Sequence, residues 1–297
     1  MQASRSEAQQ VLPSQSTLRA VGLEIRPITP TFGAEVRGID LAHGFDARQF
    51  AAIHQAFLRY QVLVFKDQSP MAPAAQIAFG RRFGELHAHP AAPTHPDHPE
   101  IFVIHTHRDS KIANGNLWHS DVSCDECPPM ATMLQLHLLP PSGGDTLFAS
   151  MYAAYERLSD PMKGFLAGLT ARHESEHVYR GRYADRGVDD TGRVFPASSH
   201  PVVRTHPETG RQALFVNPAF TTRIEGLRGR ESRLLLDYLF GLVADPNLQI
   251  RQRWEVNDVV LWDNRCTQHY ALWDYWPHER RGHRVTIEGN RPFHRAQ

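Results

Sequence analysis

Three cysteines in 297 residues, Cys124, Cys127 and Cys266, are too few to build a disulfide framework. Cys124 and Cys127 form a C-x-x-C with no second pair, short of the four ligands a structural zinc takes. A reducing, cytoplasmic home is the expectation that follows. Neither charge is in excess, since 32 Lys and Arg face 32 Asp and Glu, so there is no electrostatic footprint for nucleic acid. No run approaches the roughly 20 apolar residues of a membrane helix. Residues 1–20 are rich in Gln, Ser and Ala and lack the apolar core of a signal peptide, so they read as a loose tail. What remains, residues 21–297, is chain enough for a single large domain with an ample core.

Alternation and turn signals divide that domain. Strands are expected at Leu23–Ile28, Gly33–Asp40 and the continuous apolar run Val62–Phe65. Asp46 is placed to cap a helix through Tyr60, and Pro73–Phe83 reads as a second helix closed by Gly84. From residue 100 on, short strands follow one another: Phe102–Ile104, Ala131–Leu139, Thr146–Ala149, Val202–Thr205, Ala213–Val216, Val259–Trp262 and His283–Glu288. Helices interrupt them at Tyr152–Leu169 and Glu231–Ala244. Many short strands with a few packing helices predict a mainly β, two-sheet barrel or jelly roll. The charged, apolar-poor stretch 176–200 is either a lid over a site or an ordinary surface loop.

With 18 histidines and 17 aspartates, about one H-x-D is expected by chance. Three occur: His95-Pro-Asp97, His107-Arg-Asp109 and His119-Ser-Asp121. The first sits in a Pro/His-rich loop, and the second closes an apolar strand and runs into Arg108-Asp-Ser-Lys. Only the third lies in a segment, Leu117–Ser123, that reads as a strand with both side chains on one face, where both reach one metal. Far along the chain, Trp262-Asp-Asn-Arg-Cys-Thr-Gln-His269 supplies a second histidine, followed by Arg280 and Arg284. Two imidazoles and one carboxylate suit iron(II) and leave three positions open, and a late arginine is the fork that the second carboxylate of a 2-oxo acid requires. The same three ligands around zinc would serve a hydrolase or a binding protein on a jelly roll. Cys266, three residues before His269, is expected on the opposite face of a strand.

Ordered segments resemble the taurine/2-oxoglutarate dioxygenase family, roughly from Leu23 to Phe293. They include Phe32-Gly-Ala-Glu-Val-Arg-Gly-Ile-Asp-Leu41, Arg82-Phe-Gly-Glu-Leu86, Trp118-His-Ser-Asp-Val122, Pro141-Ser-Gly-Gly-Asp-Thr146, His200-Pro-Val-Val-Arg-Thr-His-Pro207, Phe215-Val-Asn217, Phe220-Thr-Thr-Arg223 and Trp262-Asp-Asn-Arg265. The resemblance implies a double-stranded β-helix with flanking helices, and Fe(II) held by His119, Asp121 and His269. It places Arg280 and Thr146 on the distal carboxylate of 2-oxoglutarate, with dioxygen as the other cosubstrate. Thr146 ends Ser-Gly-Gly-Asp-Thr, strong turn chemistry that would deliver its hydroxyl.

For the primary substrate the resemblance implies Arg284 and His89 on an anionic head group, with Val122 lining the same pocket. Tyr179 and Phe220 fall where the family puts aromatic walls, and they suit core packing equally. The implied partner is a small anionic molecule, hydroxylated next to sulfur so that a sulfonate releases sulfite and an aldehyde, with succinate and CO2. An alkyl sulfate or phenoxyalkanoate would fit the same pair of donors. A homo-oligomer follows by family analogy alone, and no membrane or nucleic acid. Two departures bear on the substrate: the taurine-specific enzymes carry a tyrosine where this chain has Ala92 and an asparagine where it has Gly115. Losing both polar contacts points to a sulfonate or sulfate with a bulkier or less polar tail than taurine's.

Overall fold

The computed structural model describes residues 15–87, 94–184 and 187–296. In chain order, α1 (Gln15–Ala20) leads into β1 (Glu24–Pro27), β2 (Ala34–Arg37), α2 (Ala47–Tyr60), β3 (Val62–Phe65) and α3 (Pro73–Arg81). Then come β4 (Thr94–His95), β5 (His98–Thr106), β6 (Ala131–Leu138), β7 (Thr146–Ser150), α4 (Met151–Glu156) and α5 (Asp160–Leu166). Next are β8 (Thr170–Glu174), α6 (Glu176–Tyr179), β9 (Ala197–Pro201), β10 (Val203–Thr205), β11 (Gln212–Leu214) and β12 (Thr221–Ile224). The chain ends with α7 (Gly229–Gly241), β13 (Gln249–Gln252), β14 (Val259–Asp263), β15 (Thr267–Ala271) and β16 (Arg280–Ile287).

Local chemistry explains the boundaries. Asp46 accepts from the Arg48 and Gln49 amides while the Gln49 side chain returns to the Asp46 amide, a capping box that starts α2. Ile53, Ala56 and Phe57 then face the core. All four residues of β3 are buried because β2 pairs with one edge, β14 with the other, and helices cover the outer face. The expected helix over Tyr152–Leu169 is two helices, because Ser159 caps a new start with Pro161 in its first turn. A proline is tolerated there and not in a helix interior. The expected N-terminal tail also ends sooner, with Leu18 of α1 buried in the first core cluster.

Eight strands form the large sheet, ordered β1-β2-β3-β14-β6-β16-β5-β4, antiparallel except for β2 against β3. A second sheet, β13-β7-β15, faces it. Phe148 of β7 meets Trp262 of β14 across the gap at 5.5 Å between ring centres, and Val64, Leu134, Leu136 and Val260 fill the space beside them. This is the mainly β jelly roll with flanking helices. β12-β8-β9 and β10-β11, with α4, α5 and α7, enclose a further core at one end. Among the described residues no helix is long and apolar enough to cross a membrane.

Two differences from expectation bear on the site. Leu117–Ser123 is not a strand: His119 makes an isolated antiparallel bridge with His269, and the chain turns immediately afterwards. Val122 sits there with φ of 46°, in the left-handed region that a β-branched residue disfavours. The last strand begins at Arg280 rather than His283, so both late arginines lie on β16. Residues 176–200 begin with α6 and end in β9, and Tyr179 and Tyr183 within them are buried.

Candidate active site

The bridge brings the two histidines together. The His119 amide donates to the His269 carbonyl at 3.1 Å and the His269 amide to the His119 carbonyl at 2.8 Å. The two imidazoles stand 4.1 Å apart, centre to centre. The turn that follows aims Asp121 between them: its Oδ1 lies 3.7 Å from Nε2 of His119 and 4.0 Å from Nε2 of His269. One ligand atom from each residue falls within 4.8 Å of the others.

Protonation suits these groups to a metal. Nδ1 of His119 lies 2.7 Å from the Leu117 carbonyl, so the ring proton sits on that nitrogen and the Nε2 lone pair faces Asp121. Burial lowers the His119 pKa, and burial together with the neighbouring His119 holds His269 well below the usual imidazole value. Burial pushes the Asp121 carboxyl up, but the Arg284 guanidinium, with the Thr132 hydroxyl, outweighs it and holds it well below the usual carboxylate range. Two neutral imidazoles beside one carboxylate are a donor set that fits iron(II).

Asn264, in the turn between β14 and β15, organises the carboxylate. Its side-chain oxygen accepts from the Asp121 amide at 3.3 Å and from Nε1 of Trp262 at 3.1 Å. Its Nδ2 donates to the Thr132 hydroxyl at 2.9 Å, and that hydroxyl donates to Asp121 Oδ2 at 2.7 Å. The remaining oxygen, Oδ1, accepts from Nη1 of Arg284 at 2.9 Å. Neither Asn264 nor Thr132 had been singled out. The signal was the Trp262-Asp-Asn-Arg265 segment, which read only as part of a resemblance.

Arg280 and Arg284 are four residues apart on one face of β16, with the exposed Arg281 pointing away. Arg280 is 4% exposed, and its Nε and Nη2 have no hydrogen-bond partner among the described residues. Burial without a paired carboxylate lowers its pKa. Its guanidinium lies 5.7 Å from the Trp254 ring, and Nε1 of Trp254 donates to the Thr146 hydroxyl at 3.0 Å. The hydroxyl proton of Thr146 therefore stays available. A buried, unsatisfied guanidinium and a spare hydroxyl, both set against Trp254, suit a carboxylate.

His119 and Asp121 also border a cavity of about 290 Å3. His119, Asp121, Val122, Tyr179, Phe220 and Arg284 all line it, with Tyr179 edge-on to Phe220 at 5.8 Å. Thr146 and Arg280 do not line it, and His89 and Ala92 lie outside the described residues. Asn114, Arg182, Tyr183 and Trp273 also contribute to the wall and had not been anticipated, and Asn116, next to Gly115, lines it too. Gly115 has φ of +79°, and a Cβ there would stand 3.3 Å from Cε1 of His119. The cavity therefore approaches the His119 ring over bare backbone.

Cys266 lies in the turn before β15, not on the strand, and a second cluster forms there from His206, Asp263 and Cys266. Asp263 is already committed: Arg265 donates to both of its oxygens, and His206 Nε2 lies 3.0 Å from Oδ2. Nδ1 of His206 accepts from the Glu208 and Thr209 amides, which leaves that ring no free lone pair. The cluster is a structural lock on the turn that carries Asn264.

The family model described as "Taurine catabolism dioxygenase TauD, TfdA family" matches residues 24–286. An alpha-ketoglutarate-dependent sulfate ester dioxygenase of Pseudomonas putida is 35% identical over 280 residues, covering 92% of both chains. An alpha-ketoglutarate-dependent sulfonate dioxygenase of Saccharomyces cerevisiae is 35% identical over 284 residues, covering 91% of this chain and 68% of the other. The solved structure of a putative alpha-ketoglutarate-dependent taurine dioxygenase from Burkholderia xenovorans superposes with a TM-score of 0.79 at 34% identity, covering 92% of this chain and 94% of that one.

Proposed function

The chain belongs to the TauD, TfdA family of alpha-ketoglutarate-dependent dioxygenases, and from that premise we propose that it hydroxylates a carbon beside sulfur or ester oxygen in an organic sulfonate or sulfate. The substrate's tail is bulkier than that of taurine and lacks its amine, since a bare Gly115 stands at the wall beside His119. One observation carries this reading: Asp121 lies between two imidazoles and an arginine that lines an open cavity. An anionic head group is thus recognised next to the metal position.

Iron(II) held by His119, Asp121 and His269 supplies, with 2-oxoglutarate and dioxygen, the oxidising power for hydroxylation, leaving succinate and CO2. The protein's own groups do the rest. Arg280 and Thr146 hold the distal carboxylate of the oxo acid, which satisfies the two orphaned guanidinium nitrogens. Arg284 keeps Nη1 on Asp121 and turns its unpartnered Nε to the head group. Val122, Tyr179 and Phe220 fix the neighbouring carbon and exclude water. Hydroxylation next to a sulfonate gives a hydroxysulfonate that collapses to an aldehyde and sulfite. The same step next to a sulfate ester gives an aldehyde and sulfate.

The test supplies iron-loaded protein and 2-oxoglutarate in air with taurine, linear alkylsulfonates, alkyl sulfates or phenoxyacetates, and measures succinate, sulfite and sulfate. Alkylsulfonates or alkyl sulfates should stimulate succinate release above taurine, and the inorganic product names the head group. A preference for taurine would refute the tail assignment. Stimulation only by phenoxyacetates would replace the sulfur head group with a carboxylate, which the Arg284 fork also accepts.

A further inference from the structure

Three charged side chains besides His119 line the cavity at the triad: Asp121, Arg182 and Arg284. The first and last bind each other, which leaves Arg182. Its Nε donates to Oδ1 of Asn114 at 3.2 Å and its Nη2 to the Ala113 carbonyl at 2.8 Å. Both partners are neutral, and among the described residues no carboxylate pairs with Arg182. Two contacts fix the fork, and no carboxylate among the described residues compensates its charge, half-buried in the wall of the cavity.

A second hollow of about 220 Å3 lies against the first. The two share Ile112, Asn114, Arg182 and Tyr183, so these four side chains form the wall between them. The second hollow adds His107, Ser110 and Asp109, whose carboxylate is 82% exposed and stands 3.7 Å from Nδ1 of His107. Arg284 and Arg182 both line the first cavity, and Arg182 also borders the second hollow. Oriented, uncompensated guanidinium groups in cavities are receptors for carboxylate, sulfonate or phosphate oxygens.

We propose that the substrate carries two acidic groups, one held by Arg284 beside the metal position and the second by Arg182 at the wall between the two hollows. The proposal rests on the dioxygenase reading and narrows its substrate to a two-headed anion. Alkanesulfonates of one chain length ending in methyl, carboxylate or ammonium test it, with the matching sulfate esters run alongside. Affinity is read under argon on the iron- and 2-oxoglutarate-loaded protein by tryptophan fluorescence, since Trp273 lines the cavity; kcat/KM is read from succinate in air.

The carboxylate-ended chain should bind about tenfold or more above the methyl-ended one, with the ammonium-ended chain last, as one charge-assisted contact predicts. Arg182→Gln, which still donates to Asn114, should bring the ratio near one, and Arg182→Lys should restore part of it. Asn114→Asp keeps the arginine but pairs it internally, and should also abolish the preference. Equal binding of the three chains to the natural protein, or a preference that survives Arg182→Gln, overturns the proposal. Selective binding without succinate from any chain would refute the reaction and leave the second anion site standing. Turnover without selectivity would do the reverse.

Discussion

Replacing Arg280 by leucine separates two roles that a buried arginine can play. If it served only packing, the loss would appear as instability whatever ligand is present. The structure predicts otherwise, because Nε and Nη2 are buried without partners and the pKa is lowered by burial. In the free protein this cation is a cost, so Arg280→Leu should leave the melting temperature without 2-oxoglutarate unchanged or higher. With the oxo acid the order reverses. Hydrogen bonds to charged groups contribute about 1.5–3 kcal/mol each, so losing the fork should raise the half-saturating concentration roughly a hundredfold, about 2.7 kcal/mol. At a concentration near a hundred times the natural Kd, ligand stabilises the natural protein by about 2.7 kcal/mol and the variant by about 0.4 kcal/mol. A melting shift of roughly 5 °C should therefore shrink to about 1 °C. Iron-loaded protein melted under argon with increasing 2-oxoglutarate reads this directly, and succinate formation gives the matching KM. An undiminished ligand-induced shift, or equal destabilisation with and without ligand, would refute the reasoning.

Asp121→Asn should abolish iron retention in equilibrium dialysis and also lower the melting temperature, since Arg284 loses its counter-charge in a buried pair worth about 3–5 kcal/mol to break; a metal-free variant as stable as the natural protein would disprove the pairing. Asn264→Ala leaves all three ligands in place but frees Asp121 and Thr132, and should weaken metal binding about 10–100-fold in the same assay; unchanged affinity would show that Asp121 needs no such support. For pH, burial with help from Arg204 pulls His200 down to about 4. An unfolded imidazole titrates near 6.5, so the unfolded chain takes up the proton first as pH falls. Stability is complete above about 6.5 and is lost progressively down to about 4, on the order of 3 kcal/mol for this residue. His200→Gln, which keeps a donor for the Asp125 carbonyl, should flatten that slope in melts taken across the range; parallel slopes would show that His200 is not responsible.

The sequence was most legible where one residue type admits one local structure or one chemistry. Asp46 announced the start of α2, and Val62–Phe65, apolar throughout, announced a strand buried on both faces. His119, Asp121 and His269, which the structure brings together, stood out for the narrow chemistry that two imidazoles and a carboxylate share, even though the geometry expected for them was wrong. Two side chains on one strand face would have reached a metal, but the chain instead makes one bridge at His119 and turns through Val122 at φ of 46°. Alternation cannot announce such a turn, because the closing contacts come from Asn264 and Thr132, 143 and 11 residues away from Asp121. The substrate wall was hidden for the same reason. Arg182 looked like one charge in a charged excursion, and only its pairing with Asn114, 68 residues earlier, turns it into an oriented fork. Ligands that must bind a metal leave a compositional trace, whereas groups that orient them are ordinary residues given their role by contacts between distant parts of the chain. Variants at Asn114, Gly115 and Arg182 should therefore move specificity while His119, Asp121 and His269 stay unchanged.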